Sequence, residues 1–393
     1  MNGTIYMPVG EVCSSISDTY REKKNMVTLI NTSDVLEGRV LNHERVPNSN
    51  LKGQFKKTFQ RDDILYSEIR PQNRRFAYVD FSPIDYIAST KLMVIRAKKD
   101  VVSPKYLYYC LKNSSTVAEL QLLAETRSGT FPQITFSEVA NLTIPVPSLA
   151  VQEVIVQTMQ CLEDKITCNE QINDNLEQQA QSYFQELFVD NADPEWAIGT
   201  ISDLGTVVGG STPSKAKPEY YTESGIAWIT PKDLSINKSK FVSHGENDIT
   251  ELGLKNSSAA IMPEGTVLFS SRAPIGYIAI AAGEVTTNQG FKSVVPKPEI
   301  GTPFVYFFLK NTLPVIEGMA SGSTFKEVSG STMKNVPAVI PDAETLAKFS
   351  DFCAPIFAQQ RILEEQNQSL ATLRDNLLPK LMSGEIDVSA VQL

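Results

Sequence analysis

The sequence predicts an α+β protein in which two mixed α/β globular domains are separated by two long helices. The helices are expected to pair as an antiparallel coiled coil, giving a pseudo-two-fold internal repeat. Three observations carry this. The chain has 393 residues, more than the 250 to 300 or so that one core sustains. The stretch Lys91 to Val189 is echoed by Gly290 to Ser383, with Tyr106-Leu107-Tyr108-Tyr109-Cys110-Leu111-Lys112-Asn113 answered by Phe304-Val305-Tyr306-Phe307-Phe308-Leu309-Lys310-Asn311. Each copy then runs past Ser128-Gly129-Thr130-Phe131 or Gly322-Ser323-Thr324-Phe325 to a proline, Pro147 or Pro341, that opens a heptad-like segment.

Taken in order, residues 1–147 form the first globule, 148–192 the first helix, 193–340 the second globule and 341–393 the second helix with its tail. Both globules consist of short β-branched or aromatic runs, such as Thr266-Val267-Leu268-Phe269, broken by Gly, Pro, Asn and Ser. In the first helix Ile155, Met159, Leu162, Ile166, Leu176, Ala180, Tyr183 and Leu187 alternate spacings of four and three, with Asn169 and Asn173 in the missing steps. The second repeats the pattern through Leu346, Phe349, Cys353, Ile356, Leu363, Leu370, Leu377 and Leu381, with Gln360, Asn367 and Arg374 as polar steps. Ser148 and Asp342 are expected N-caps, Gly384 follows the second helix, and Pro379 is expected to kink its last turn. An apolar stripe about 60 Å long needs a partner, and each helix offers one to the other if they fold back antiparallel. Asn169, Asn173 and Asn367 in the seam are expected to fix its register.

Composition is that of a soluble protein, with no apolar run of membrane-spanning length and no signal-peptide pattern at the start, so a cytoplasmic location is expected. The five cysteines lack paired CxxC spacing, so neither a disulfide framework nor a metal site is indicated. The net charge of −9 is uneven. Residues 1–147 carry 19 basic against 15 acidic side chains, whereas residues 148–192 carry one against eight. A locally basic face for nucleic acid is therefore compatible with an acidic chain.

Catalytic patterns are missing: there is no GxxxxGK, GxGxxG or HExxH, and no Asn/Asp-Pro-Pro-aromatic tetrapeptide, while His43 and His244 stand alone. Ser270-Ser271-Arg272 lacks a positioned base. With Asn288, Gln289 and Gly290, these residues instead offer hydroxyl, amide and guanidinium groups of the kind that read base edges and hold phosphates, or they simply shape turns. In the first globule the basic clusters are Lys52, Gln54, Lys56 and Lys57, and Arg70, Gln72, Asn73, Arg74 and Arg75, with Arg127 further on. Lys215, Lys217, Lys232, Ser323, Thr324 and Lys326 are thinner candidates in the second.

Gly209-Gly210-Ser211-Thr212-Pro213-Ser214, Trp228-Ile229-Thr230-Pro231-Lys232-Asp233-Leu234, Ser270-Ser271-Arg272-Ala273-Pro274-Ile275-Gly276 and Thr287-Asn288-Gln289-Gly290-Phe291 resemble the target-recognition domain of Type I restriction-modification specificity subunits. The tail Leu377-Leu378-Pro379-Lys380-Leu381-Met382-Ser383-Gly384-Glu385-Ile386 is similar as well. In the first globule the matches are Leu29-Ile30-Asn31-Thr32-Ser33-Asp34 and, as a counterpart of the Ser270 motif with one residue inserted, Tyr66-Ser67-Glu68-Ile69-Arg70-Pro71. The resemblance implies a noncatalytic DNA-reading subunit without cofactors of its own. Its implied partners are double-stranded DNA, two modification subunits that use S-adenosylmethionine, and two restriction subunits that use ATP and Mg2+. The specificity subunit of another multisubunit restriction system, or a coiled-coil protein scaffold, would share the architecture.

Overall fold

The structure is a computed structural model and describes residues 4–22, 24–49, 53–127, 130–322 and 326–388. It contains two compact units, Met1–Ile166 with Ser369–Leu393, and Thr167–Gln368. Each unit therefore holds one globular part together with stretches of both long helices.

In the first unit the ribbon of Ile5–Pro8 and Thr143–Val146 ties the start of the globule to its end, pairing Ile5 with Val146. One helical turn, Val9–Val12, leads into a four-stranded antiparallel sheet ordered Cys13–Ile16, Leu92–Ala97, Ile64–Ser67, Phe76–Tyr78. A second sheet is ordered Val46–Pro47, Met26–Ile30, Tyr86–Ser89, Phe55–Lys57, and its middle pair is parallel.

The second unit builds the same frame. Ala197–Thr200 pairs with Pro337–Ile340, and the turn Ile201–Leu204 follows. The antiparallel order Gly205–Gly209, Lys292–Pro296, Val267–Ser271, Ile275–Ala281 then repeats, with Phe241–Val242 added in parallel. Its second sheet, Tyr221–Thr222, Asn247–Ile249, Ile226–Ile229, Thr286–Thr287, again contains a parallel pair. The repeat thus reaches back to residues 5–16 and 197–209, where side-chain identity had not disclosed it.

The echoed octapeptides lie in the helices Pro104–Lys112 and Thr302–Gly318, whose apolar faces fill the two main cores. Six of nine residues are buried in the first of these helices. At about 25 cal/mol per Å² of apolar surface removed from water, such a face outweighs any propensity of the short helix itself.

The first long helix runs Leu149–Gln185 and ends in a π turn at Glu186–Asp190; the second runs Ala343–Ser383 and passes through Pro379 without a break. Asp342 caps the second by accepting from the Thr345 N–H at 2.9 Å, and Gly384 closes it with a φ of +75°. Within the second unit the helices are antiparallel: Asn169 faces Asn367, Asn173 faces Gln360, and Phe184 packs on Phe349. In the first unit Ile155 and Met159 share a core with Leu378, Leu381 and Met382. Asn169 is fully buried, and its Nδ2 donates to Asn367 Oδ1 at 2.8 Å. Cys13, Cys110 and Cys353 are buried, while Cys161 and Cys168 are exposed. No helix among the described residues is long and apolar enough to cross a membrane.

Candidate nucleic-acid interface

Polar side chains of the second globule converge where the strand Val267–Ser271 runs into its turn. Ser270 and Ser271 are fully buried. Ser270 Oγ donates to Pro274 O at 2.9 Å and accepts from the Tyr277 N–H at 2.8 Å, while Ser271 Oγ donates to Gly290 O at 3.1 Å. Both hydroxyls bond backbone groups of the turn, the turn-shaping alternative of the two roles the sequence left open for them. Arg272 follows them half-buried, ahead of the exposed Ala273 and Pro274. It ion-pairs with Glu327 at 3.6 Å, and Lys292 reaches the other oxygen of Glu327 at 3.8 Å. Arg272, Lys326, Glu327 and Glu317 line an open cavity of about 700 Å³.

Asn288 also serves the frame, since its Oδ1 accepts from the Gly290 N–H at 2.8 Å. Gln289 is exposed beside Thr212, and its carbonyl accepts from Lys292 Nζ at 3.4 Å. Gly210 has no alternative: a Cβ there would stand 1.9 Å from Asn288 O and 2.5 Å from Thr287 O. Trp228 donates its indole N–H to Ser211 O at 3.0 Å, and Thr230 with Asp233 forms a capping box. Much of the motif set is therefore scaffold around the Arg272 guanidinium. Lys217 and Lys232 stand apart, paired with Glu219 at 3.6 Å and Glu246 at 2.5 Å, and Lys215 is exposed.

In the first globule the basic residues separate by role. Lys57 Nζ donates to Thr90 O at 3.1 Å and Leu92 O at 2.8 Å; burial lowers its pKa, opposed by Glu68. Arg75 donates to Ser33 O at 3.0 Å, Arg74 to Ser114 Oγ at 2.9 Å, and Arg127 pairs with Glu138 at 3.0 Å. These contacts stitch the domain together. Gln54, Lys56, Arg70, Gln72 and Asn73 remain exposed. Lys52, Ser323 and Thr324 lie outside the described residues.

The turn after Ile64–Ser67 matches its counterpart without an inserted residue. The Glu68 N–H donates to Lys91 O at 3.0 Å as the Ser271 N–H donates to Gly290 O at 2.7 Å. Glu68 O accepts from the Ile134 N–H at 2.9 Å as Ser271 O accepts from the Val328 N–H at 3.0 Å. Ile69 bridges Gln133 as Arg272 bridges Glu327, and both Arg70 and Ala273 take positive φ before a proline. Ile69, not Arg70, occupies the place of Arg272. Beside it Lys91 contacts Gln133 Oε1 at 3.0 Å and Glu68 at 3.3 Å.

Lys292, Glu327, Lys91 and Gln133 were absent from the sequence-derived candidates. Lys292 directly follows the Thr287–Phe291 motif, and that adjacency is the one signal in the sequence that marks it. The Arg272–Glu327 pair is longer than a hydrogen bond, with side chains 37% and 40% exposed. Such pairs contribute about 0 to 1 kcal/mol, so Glu327 holds the Arg272 guanidinium only weakly. Among the described residues no group of three or more His, Cys, Asp or Glu is placed to hold a metal ion.

The family model described as the Type I restriction modification DNA specificity domain matches residues 6–178 and again 194–373. The HindI specificity subunit of Haemophilus influenzae is 29% identical over 92% of this chain and 94% of its own length. The MjaIX specificity subunit of Methanocaldococcus jannaschii is 39% identical over 47% of this chain and 45% of its own. A crystal structure of a Type I system S subunit from M. genitalium shares the fold, with a TM-score of 0.55 at 17% identity over 97% of this chain and 96% of that one. A frame built twice, matched twice by one family model along nearly its whole length, places this chain in the family of Type I restriction-modification DNA specificity subunits.

Proposed function

We propose that this subunit is the noncatalytic reader of a bipartite DNA target, with residues 1–147 and 193–340 each reading one short half-site. The long helices Leu149–Gln185 and Ala343–Ser383 set the length of the nonspecific gap between them. One observation carries the reading: the same backbone frame recurs with different side chains at its outward edge, Ile69 and Gln133 in one copy, Arg272 and Glu327 in the other. Two readers of unlike half-sites need a constant frame and a variable edge. That Ser270 and Ser271 spend their hydroxyls on backbone groups supports a noncatalytic role.

Methyl transfer and cleavage then belong to partners in the cytoplasm. Two modification subunits would bring S-adenosylmethionine, and two restriction subunits ATP and Mg2+. The long helices, acidic along 148–192, suit protein partners better than DNA. The test is the pattern of methylated bases in DNA from cells with and without this chain. A two-part motif methylated only in its presence is expected; methylation that persists when the chain is removed contradicts the reading.

A further inference from the structure

The matched hydrogen bonds put Gln133 and Glu327 at one and the same point of the two frames, each on a short segment bridging the outward turn. Each is an acceptor beside a cation: Lys91 at 3.0 Å from Gln133 Oε1, and Arg272 and Lys292 at 3.6 and 3.8 Å from the Glu327 carboxylate. A carboxylate on a DNA-facing edge repels phosphate, and the two cations offset that repulsion. Neither cation lies within hydrogen-bond distance of Glu327, so its oxygens stay available as acceptors.

We propose that Gln133 and Glu327 are the matched specificity-determining residues of the two half-sites, an assignment that rests on the DNA-reading function proposed above. The side chains at the two edges differ in the base pair they suit. Arginine donates two bonds to guanine O6 and N7, and a carboxylate accepts from the cytosine amine, so Arg272 with Glu327 fits a G·C pair. A glutamine amide both donates and accepts, which suits adenine N6 and N7, and Ile69 at the place of Arg272 offers the apolar contact that a thymine methyl requires. The first domain therefore reads an A·T pair at the step where the second reads G·C.

The experiment selects bound sequences from randomised duplex DNA with this chain assembled on its modification subunit, comparing wild type with Glu327→Gln and Gln133→Glu. Glu327→Gln is expected to lower the preference for G·C at one position of one half-site about ten-fold or more, leaving the other half-site and the gap unchanged. Gln133→Glu is expected to change one position of the other half-site. Thermal melting and assembly monitor folding; should Glu327→Gln fail to fold, Glu327→Asp, which keeps the charge and shortens the reach, is expected to weaken the same position. An unchanged motif, or binding reduced by one factor on every sequence, overturns the assignment. Wild-type complex that selects no sequence overturns the DNA-reading function itself, whereas a wild-type bipartite motif left intact by both substitutions overturns only the assignment of Gln133 and Glu327.

Discussion

Glu177 shows how single residues bind a recognition domain to the helices. Within the second unit its carboxylate meets Lys240 at 2.7 Å, Lys310 at 2.5 Å and Tyr306 Oη at 3.1 Å, while Gln360 accepts from Lys240 at 2.9 Å. In the first unit Glu163 takes Lys112 and Tyr109 in the same way. Lys112 and Lys310 are the lysines of the two echoed octapeptides. Burial raises the Glu177 pKa, but the two lysines outweigh it and bring it to about 2; burial brings Lys240 down to about 8 against the pull of Glu177. At neutral pH both are charged. Because the folded pKa of Glu177 lies below its unfolded value near 4.5, the stabilisation is present above about pH 4.5 and is lost as pH falls toward 2. It amounts to no more than about 3 kcal/mol. Glu177→Gln is expected to flatten that acid limb in thermal melts across pH. It is also expected to cost about 3 kcal/mol near neutrality, where Lys240 is left buried with an amide. Acid limbs of equal slope would show that the carboxylate contributes nothing. The sequence offered the lysines as part of an echo but not their partner, because an ion pair 133 residues apart leaves no periodic trace.

Among the elements, the helices were the most legible. Their apolar spacing, caps and polar steps are local properties, and the 194-residue offset that aligns Pro147 with Pro341 also aligns the seams. The strands were less so. The frame Cys13–Ile16, Leu92–Ala97, Ile64–Ser67, Phe76–Tyr78 repeats through backbone pairing, which many side chains satisfy, so residues 5–16 and 197–209 share a role with little shared identity. For the same reason aligning Arg70 with Arg272 by residue type requires an insertion, whereas backbone pairing equates Ile69 with Arg272. At the seam, Asn169 bonds Asn367 although Asn169 Oδ1 and Asn173 Oδ1 find no protein partner among the described residues. Polar groups buried at such a cost are suited to enforcing register. Removing one heptad from facing stretches of both helices keeps the apolar seam in phase. It shortens the spacer by about 10 Å, or about three base pairs at 3.4 Å each. The gap in the methylated motif is expected to shrink accordingly; an unchanged gap would mean that the helices do not set it.

At the scale of the whole molecule, one frame occurs twice in a single chain, and each copy carries its own outward edge on its own core. What the sequence left open was which polar residues belong to the edge. Ser270, Ser271 and Asn288 have the chemistry of base readers yet hold the turn together, while Glu327 and Gln133 reach the edge through bridges that only the folded backbone defines. The central claim is that each copy reads one half of the target independently. Its most direct test replaces residues 193–340 with the corresponding domain of another member of the family and reads the methylated motif of the resulting complex. The account predicts a new base sequence in one half of the motif, with the other half and the gap unchanged; a motif altered in both halves, or in neither, would contradict it.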